Sequence, residues 1–183
     1  MIGPLGTATR SRRSRINPSV SGPKRSMPMT NLSIRPARAA EQAAILNLAE
    51  RLAAFGPTTR PAREIAARER RALSEALDHP SPGSALLVAS HPELGVVGVV
   101  LLDSRRDYFT DELHGHVAIL AVAKEAEGQG VGRALLKAAE EWGRAEGFRR
   151  LTLAVFTANQ RAKEFYARHG WQAELETHYK KLS

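Results

Sequence analysis

The chain has 183 residues, 43% of them apolar and 25% charged, the balance of one soluble globular domain with enough apolar side chains for a core. It contains no cysteine, which excludes a disulfide framework, cysteine-based zinc sites and a thiol nucleophile, and no apolar run nears the ~20 residues of a membrane span; a reducing cytoplasm is the expected setting. Of the formal net charge of +8, six charges come from Arg10, Arg12, Arg13, Arg15, Lys24 and Arg25, in a stretch with no acid, so the body carries only +2.

Residues 1–28 are rich in Ser, Arg, Pro and Gly and poor in large apolar side chains. They are expected to form a disordered basic tail ahead of a domain at 29–183. Three readings stay open for the tail: a stretch upstream of a true start at Met29, a basic arm for nucleic acid, or an organellar transit peptide. The first is favoured. The near-neutral body argues against a nucleic-acid partner.

From Asn31 the pattern becomes regular. Leu32–Arg35 reads as a short strand. Ile45, Leu48, Ala49 and Leu52 mark one face of a helix, and a second helix runs to about Leu77 after the breakers between Phe55 and Pro61. Ala85–Ala89 and Val96–Leu102 read as a hairpin, the second run apolar without alternation, as in a strand covered on both faces. Asp103–Glu112 is a polar loop and His116–Val122 a strand. Gly128-Gln-Gly-Val-Gly132 then opens an amphipathic helix that ends near Gly147. Leu151–Phe156 is a strand, Ala162, Phe165, Tyr166 and His169 share a helix face, and Trp171–Ala173 and His178–Leu182 are expected final strands. The order predicts an α/β (α+β) fold: a mixed, mostly antiparallel sheet of six to seven strands with about four helices on both faces.

The strand–glycine–helix unit carries the first chemical signal. Glycines allow close backbone approach, and the free N–H groups of a helix start favour a phosphate, with Arg133 and Lys137 adding charge. A bare tight turn would look the same. Gly132 is followed by Arg-Ala rather than Lys-Ser/Thr, which excludes a Walker loop, and no acid closes the next strand, which argues against a dinucleotide fold.

The stretch Leu120-Ala-Val-Ala-Lys-Glu-Ala-Glu-Gly-Gln-Gly-Val-Gly-Arg-Ala-Leu-Leu136 resembles the acetyl-CoA signature of the GNAT (GCN5-related) N-acetyltransferase family, and Asn159-Gln-Arg-Ala-Lys-Glu-Phe-Tyr-Ala-Arg-His-Gly-Trp171 resembles that family's second block. The resemblance spans Leu32 to Leu182 and departs at Glu127, where the family carries Gln or Arg. It implies an acetyl-CoA-dependent transfer to a primary amine. The backbone of Leu120, Ala121 and Val122 would pair with the pantetheine arm. The backbone amides of Gly128, Gln129, Gly130, Val131, Gly132 and Arg133 would hold the pyrophosphate. The Asn159 side chain would bond the arm, and Tyr166 would protonate the departing thiolate. Dimers are frequent in the family, so a homodimer is allowed. A catalytically weak acyl-CoA-binding module of the same fold is the rival reading.

Amine acetylation also needs a polarised carbonyl, for which a backbone N–H near Val122 serves, and a neutral amine. The family's usual carboxylates fall on Ala118 and Ala154 here. Glu112, His114 and His116 remain as candidates for the base, His116 directly or through water; surface polar residues at a strand start are the competing reading. The two histidines lack a third ligand, so no metal is expected. Phe55–Arg60 and Asp107–Glu112 are expected to line the acceptor site, with Asp107, Asp111 and Glu112 attracting a cationic amine.

Overall fold

The apolar run Val96–Leu102 becomes the axis of the molecule. In the computed structural model, which describes residues 31–57 and 59–182, it lies in β3 (Gly95–Arg106), and Val97 through Leu102 are all buried. Side chains of both parities are buried, so both faces of this strand are covered. The elements follow in the order β1 (Ser33–Pro36), α1 (Gln42–Ala53), α2 (Ala62–Asp78), β2 (Ala85–His91), β3, β4 (Leu113–Val122), α3 (Val131–Ala145), β5 (Leu151–Leu153) and α4 (Gln160–Arg168). The expected basic tail, residues 1–28, lies outside the described residues.

The sheet order is β1-β2-β3-β4-β5, antiparallel except for the parallel β4–β5 pair. Helix α3 packs Leu135 and Val131 on the face that Gly98 presents, where a Cβ on Gly98 would meet each at 3.0 Å. The α1–α2 pair covers the opposite face with Ile45, Leu48, Ala49 and Leu73. The fold is the expected mixed α/β sandwich of helices on a mostly antiparallel sheet.

Three boundaries differ from the sequence reading. β3 runs on to Arg106 and β4 begins at Leu113, because the Asp107 carboxylate closes the hairpin, accepting from the N–H groups of Phe109 and Thr110 at 3.0 and 2.9 Å. β5 stops at Leu153 instead of Phe156. β4 pairs Ile119 with Leu101 but Val117 with Leu102, leaving Ala118 as an extra residue, and such a bulge bends its strand. The β4–β5 ladder accordingly ends at Val117–Leu153. Finally, the described sheet has five strands, not six or seven. Residues 171–182, expected to hold two strands, carry no ladder bonds, and Leu175, Tyr179 and Leu182 are exposed. A strand needs a partner edge for its N–H and C=O groups, and three residues of β5 offer little of one.

Candidate functional site

Where β4 leaves β5, the backbone of Leu120, Ala121 and Val122 stays paired to β3 on one side only. The Ala123 N–H donates to Val97 at 2.9 Å, and a short 3-10 turn, Lys124–Ala126, leads into the glycines. Gly128 and Gly130 take φ of +75° and +82°, the left-handed region that glycine adopts without strain. A Cβ at either would meet nothing within 4 Å, so the loop faces open space. The first helical bond of α3 runs from Ala134 N–H to Gly130 C=O. The N–H groups of Val131, Gly132 and Arg133 therefore have no intrahelical acceptor. The Gln129 side chain instead folds back and donates to the Glu125 carbonyl at 2.7 Å, bracing the turn.

Helix α4 lies along this loop. A Cβ on Gly132 would stand 3.2 Å from the Phe165 ring, which explains why the third glycine is needed. One turn earlier on α4, Arg161 donates through Nη1 to Glu127 at 2.6 Å. The other oxygen of Glu127 accepts from Nη2 of Arg51 on α1. Burial opposes ionisation of this carboxyl, but the bonds from Arg161 and Arg51 outweigh it and hold Glu127 below the ordinary carboxylate value. The acid that breaks the signature is thus an ion-paired bridge between two helices. Sequence reasoning missed Arg51 and Arg161, since each looks like an ordinary solvated arginine until α1, α4 and the loop are brought together.

Asn159 caps α4: its Oδ1 accepts from the Ala162 N–H at 3.1 Å. Tyr166 sits on the inner side of α4 against Phe165 and Trp171, with ring centroids 5.4 and 6.1 Å apart. Burial pushes its pKa above the ordinary 10, and the hydroxyl, like any phenol, carries its proton at neutral pH.

The other end of β4 is built differently. Gly115 turns toward α3, where a Cβ would meet Leu151, Trp142 and Phe148 at 2.4, 2.9 and 3.0 Å. Its neighbours His114 and His116 therefore face away from α3, opposite Arg105 and Asp103 of β3 and Thr152 of β5. Both histidines are buried, at 8% and 6% exposure, which sets aside the reading of surface residues. His116 Nδ1 lies 2.7 Å from Thr152 Oγ1. Desolvation, helped by Arg105, lowers its pKa to about 4, so the imidazole is neutral at physiological pH. His114 Nδ1 is buried without a partner among the described residues.

His116 precedes Leu120 by four strand residues, ~13 Å. It cannot touch an atom held at Val122, and only a water relay would connect them. Glu112 is exposed in the hairpin loop, further still from the glycines. The neighbouring acids are already paired, Asp107 with Arg150 and Asp111 with Arg106. Among the described residues no group of three His, Asp or Glu side chains could hold a metal ion.

A mostly antiparallel sheet that parts at a parallel strand pair, above a glycine loop opening a helix, is the architecture of a GNAT-like acyltransferase. The sequence profile of the acetyltransferase (GNAT) family matches residues 46–171, more than half of the chain, and the protein belongs to that family. No curated protein matches the sequence. Among solved structures, a putative acetyl transferase from Pyrococcus furiosus is similar over 82% of this chain and 99% of its own, with 22% identity and a TM-score of 0.67. The aminoglycoside N-acetyltransferase AAC(6')-Iy in complex with CoA is 18% identical over 82% of this chain and 94% of its own, with a TM-score of 0.65. The corresponding enzyme AAC(6')-IG from Acinetobacter haemolyticus is 16% identical, covering 82% and 98%, at 0.63. At these identities the likeness is one of fold.

Proposed function

We propose that this protein transfers an acetyl group from acetyl-CoA to a primary amine. The observation that carries the reading is the parting of β4 from β5 directly before the glycine loop, with Tyr166 on the helix that lines the gap. In this reading the free backbone groups of Leu120–Val122 align the pantetheine arm as a strand would. The unpartnered N–H groups of Val131, Gly132 and Arg133, with the α3 dipole, hold the pyrophosphate. Acetyl-CoA supplies a thioester whose carbonyl is attacked by the amine. A backbone N–H at Val122 stabilises the developing oxyanion, and the Tyr166 hydroxyl, protonated at neutral pH, gives its proton to the thiolate.

The amine's proton passes to solvent water, and His116, neutral but weakly basic with a pKa of about 4, serves at most as a member of the water relay. Because a Lys-like amine has a pKa near 10.4, the rate rises with pH below about 8. The acceptor enters by the face that carries His114 and His116. A panel of amines, from polyamines and aminoglycosides to peptide N-termini, assayed by CoA release, tests the proposal. Saturable acetyl-CoA binding without turnover of any of them would replace it with an acyl-CoA-binding module.

A further inference from the structure

Two guanidinium groups approach the glycine loop from separate parts of the chain, and a single carboxylate holds both. Arg51 comes from the end of α1 and Arg161 from the first turn of α4. Glu127, which they share, is the residue directly before Gly128. The cluster carries a net charge of +1 at the front of the loop, while Phe165 closes the back of the same loop at Gly132. Neither arginine is satisfied by Glu127 alone. Arg51 Nε is buried without an acceptor among the described residues. Arg161 is 63% exposed and uses Nη1 on Glu127, leaving Nη2 and Nε to donate elsewhere. Arg133, the nearest cation on α3, is exposed on the helix surface.

We propose that Arg51 and Arg161 are the cationic side chains that bind the CoA phosphates, and that Glu127 is the positioning residue that aims them. This rests on the reading of the loop as the pyrophosphate site. An isolated carboxylate beside a pyrophosphate would repel it. Here the same carboxylate fixes two forked donors, which suit phosphate oxygens, so that little rotamer freedom is lost when the ligand arrives. The site replaces one side chain on the loop by two that reach it from neighbouring helices.

The proposal concerns binding, so it can be tested without an acceptor. Calorimetry with CoA alone should show Arg161→Ala weakening affinity about tenfold and Arg51→Ala by a similar factor, the loss shrinking as salt is raised. Arg161→Lys, which keeps the charge but not the fork, should recover only part of it. In turnover, KM for acetyl-CoA should rise with kcat nearly unchanged, because the contact is equal in ground and transition states. In the Glu127→Gln background, Arg161→Ala should cost CoA affinity clearly less than in the parent, since Arg161 is no longer aimed. Parent-like CoA affinity in both Arg→Ala variants, each with a melting temperature near the parent's, overturns the proposal. So would a loss in Arg161→Ala that is fully retained on the Glu127→Gln background, for the role of Glu127. Failure of the parent itself to bind CoA would instead remove the reading of the site on which the proposal depends.

Discussion

The two ends of β4 sit in the same sheet and work by opposite means. At the Leu120–Gly132 end, Ala121, Ala123 and Ala126 are buried, the loop at Gly128 and Gly130 borders open space, and what it offers is backbone N–H groups. At the Leu113–Val117 end, the backbone is laddered to β3 throughout and to β5 at Gly115–Val117, and polar side chains point out of the sheet. The bulge at Ala118 divides the two. In the proposed reaction a phosphate would be met by any residue that leaves its N–H free, which suits a pattern of glycines. A particular acceptor would have to be met by particular side chains, which suits the cluster of His114, His116, Thr152, Asp103 and Arg105.

If the division holds, substitutions at one end leave the other intact. Gly130→Glu should have the largest effect. It forces a non-glycine residue to φ +82° and places a carboxylate before the free amides. With three charge-assisted bonds at stake, CoA affinity should fall about 10³-fold; a parent-like thermal shift with acetyl-CoA would show that the phosphate lies elsewhere. Tyr166→Phe keeps the ring packed against Trp171 and removes only the hydroxyl. Its kcat should drop ~10²-fold, the low end for a lost general acid, with KM for acetyl-CoA little changed. Turnover within twofold of the parent would return Tyr166 to the role of a core aromatic.

Gly115→Ala probes the opposite end. The added methyl would press on Leu151 at 2.4 Å, and the protein should lose about 1–3 kcal/mol of stability while CoA affinity is retained. Denaturant titration and calorimetry on the same variant separate the two quantities, and a coupled loss of both would break the division.

The smallest effect is one of pH. His116 has its folded pKa at about 4, below its ordinary 6.5, so between these values the unfolded chain binds the extra proton. Stability from this residue is therefore complete above about 6.5 and falls as pH is lowered toward 4, roughly 1–2 kcal/mol between pH 7 and 5. Melting temperatures across that range should show a shallower slope for His116→Gln. An unchanged slope would mean that the imidazole is solvated.

Much of this was legible in the sequence because it is local. The unbroken apolar run of β3, the 3.6-residue stripes of the helices and the glycines that need positive φ each report on their own neighbourhood. The glycine loop is local in the same sense, while the block from Asn159 to Trp171 rests on the family resemblance, and the fold packs the Phe165 ring of that block against Gly132 of the loop. The capping bond from Asn159 to Ala162 was also within reach, since Asn three residues before an unpaired helical N–H is a common start signal.

What the sequence determined by itself is the run of elements from β1 to α4, their order and the glycine turn before α3, all matters of a few adjacent residues. The tertiary structure alone decided the rest. It bent β4 at Ala118 and so cut β5 to three residues, which left 171–182 without an edge to pair with. It turned Glu127 from an acid facing a phosphate into a bridge between Arg51 and Arg161, residues 110 positions apart in the chain. It also buried His114 and His116, which a strand start alone would leave in water. In each case the outcome depends on which distant group arrives alongside, and desolvation and ion pairing act over a few ångströms of space irrespective of separation along the chain.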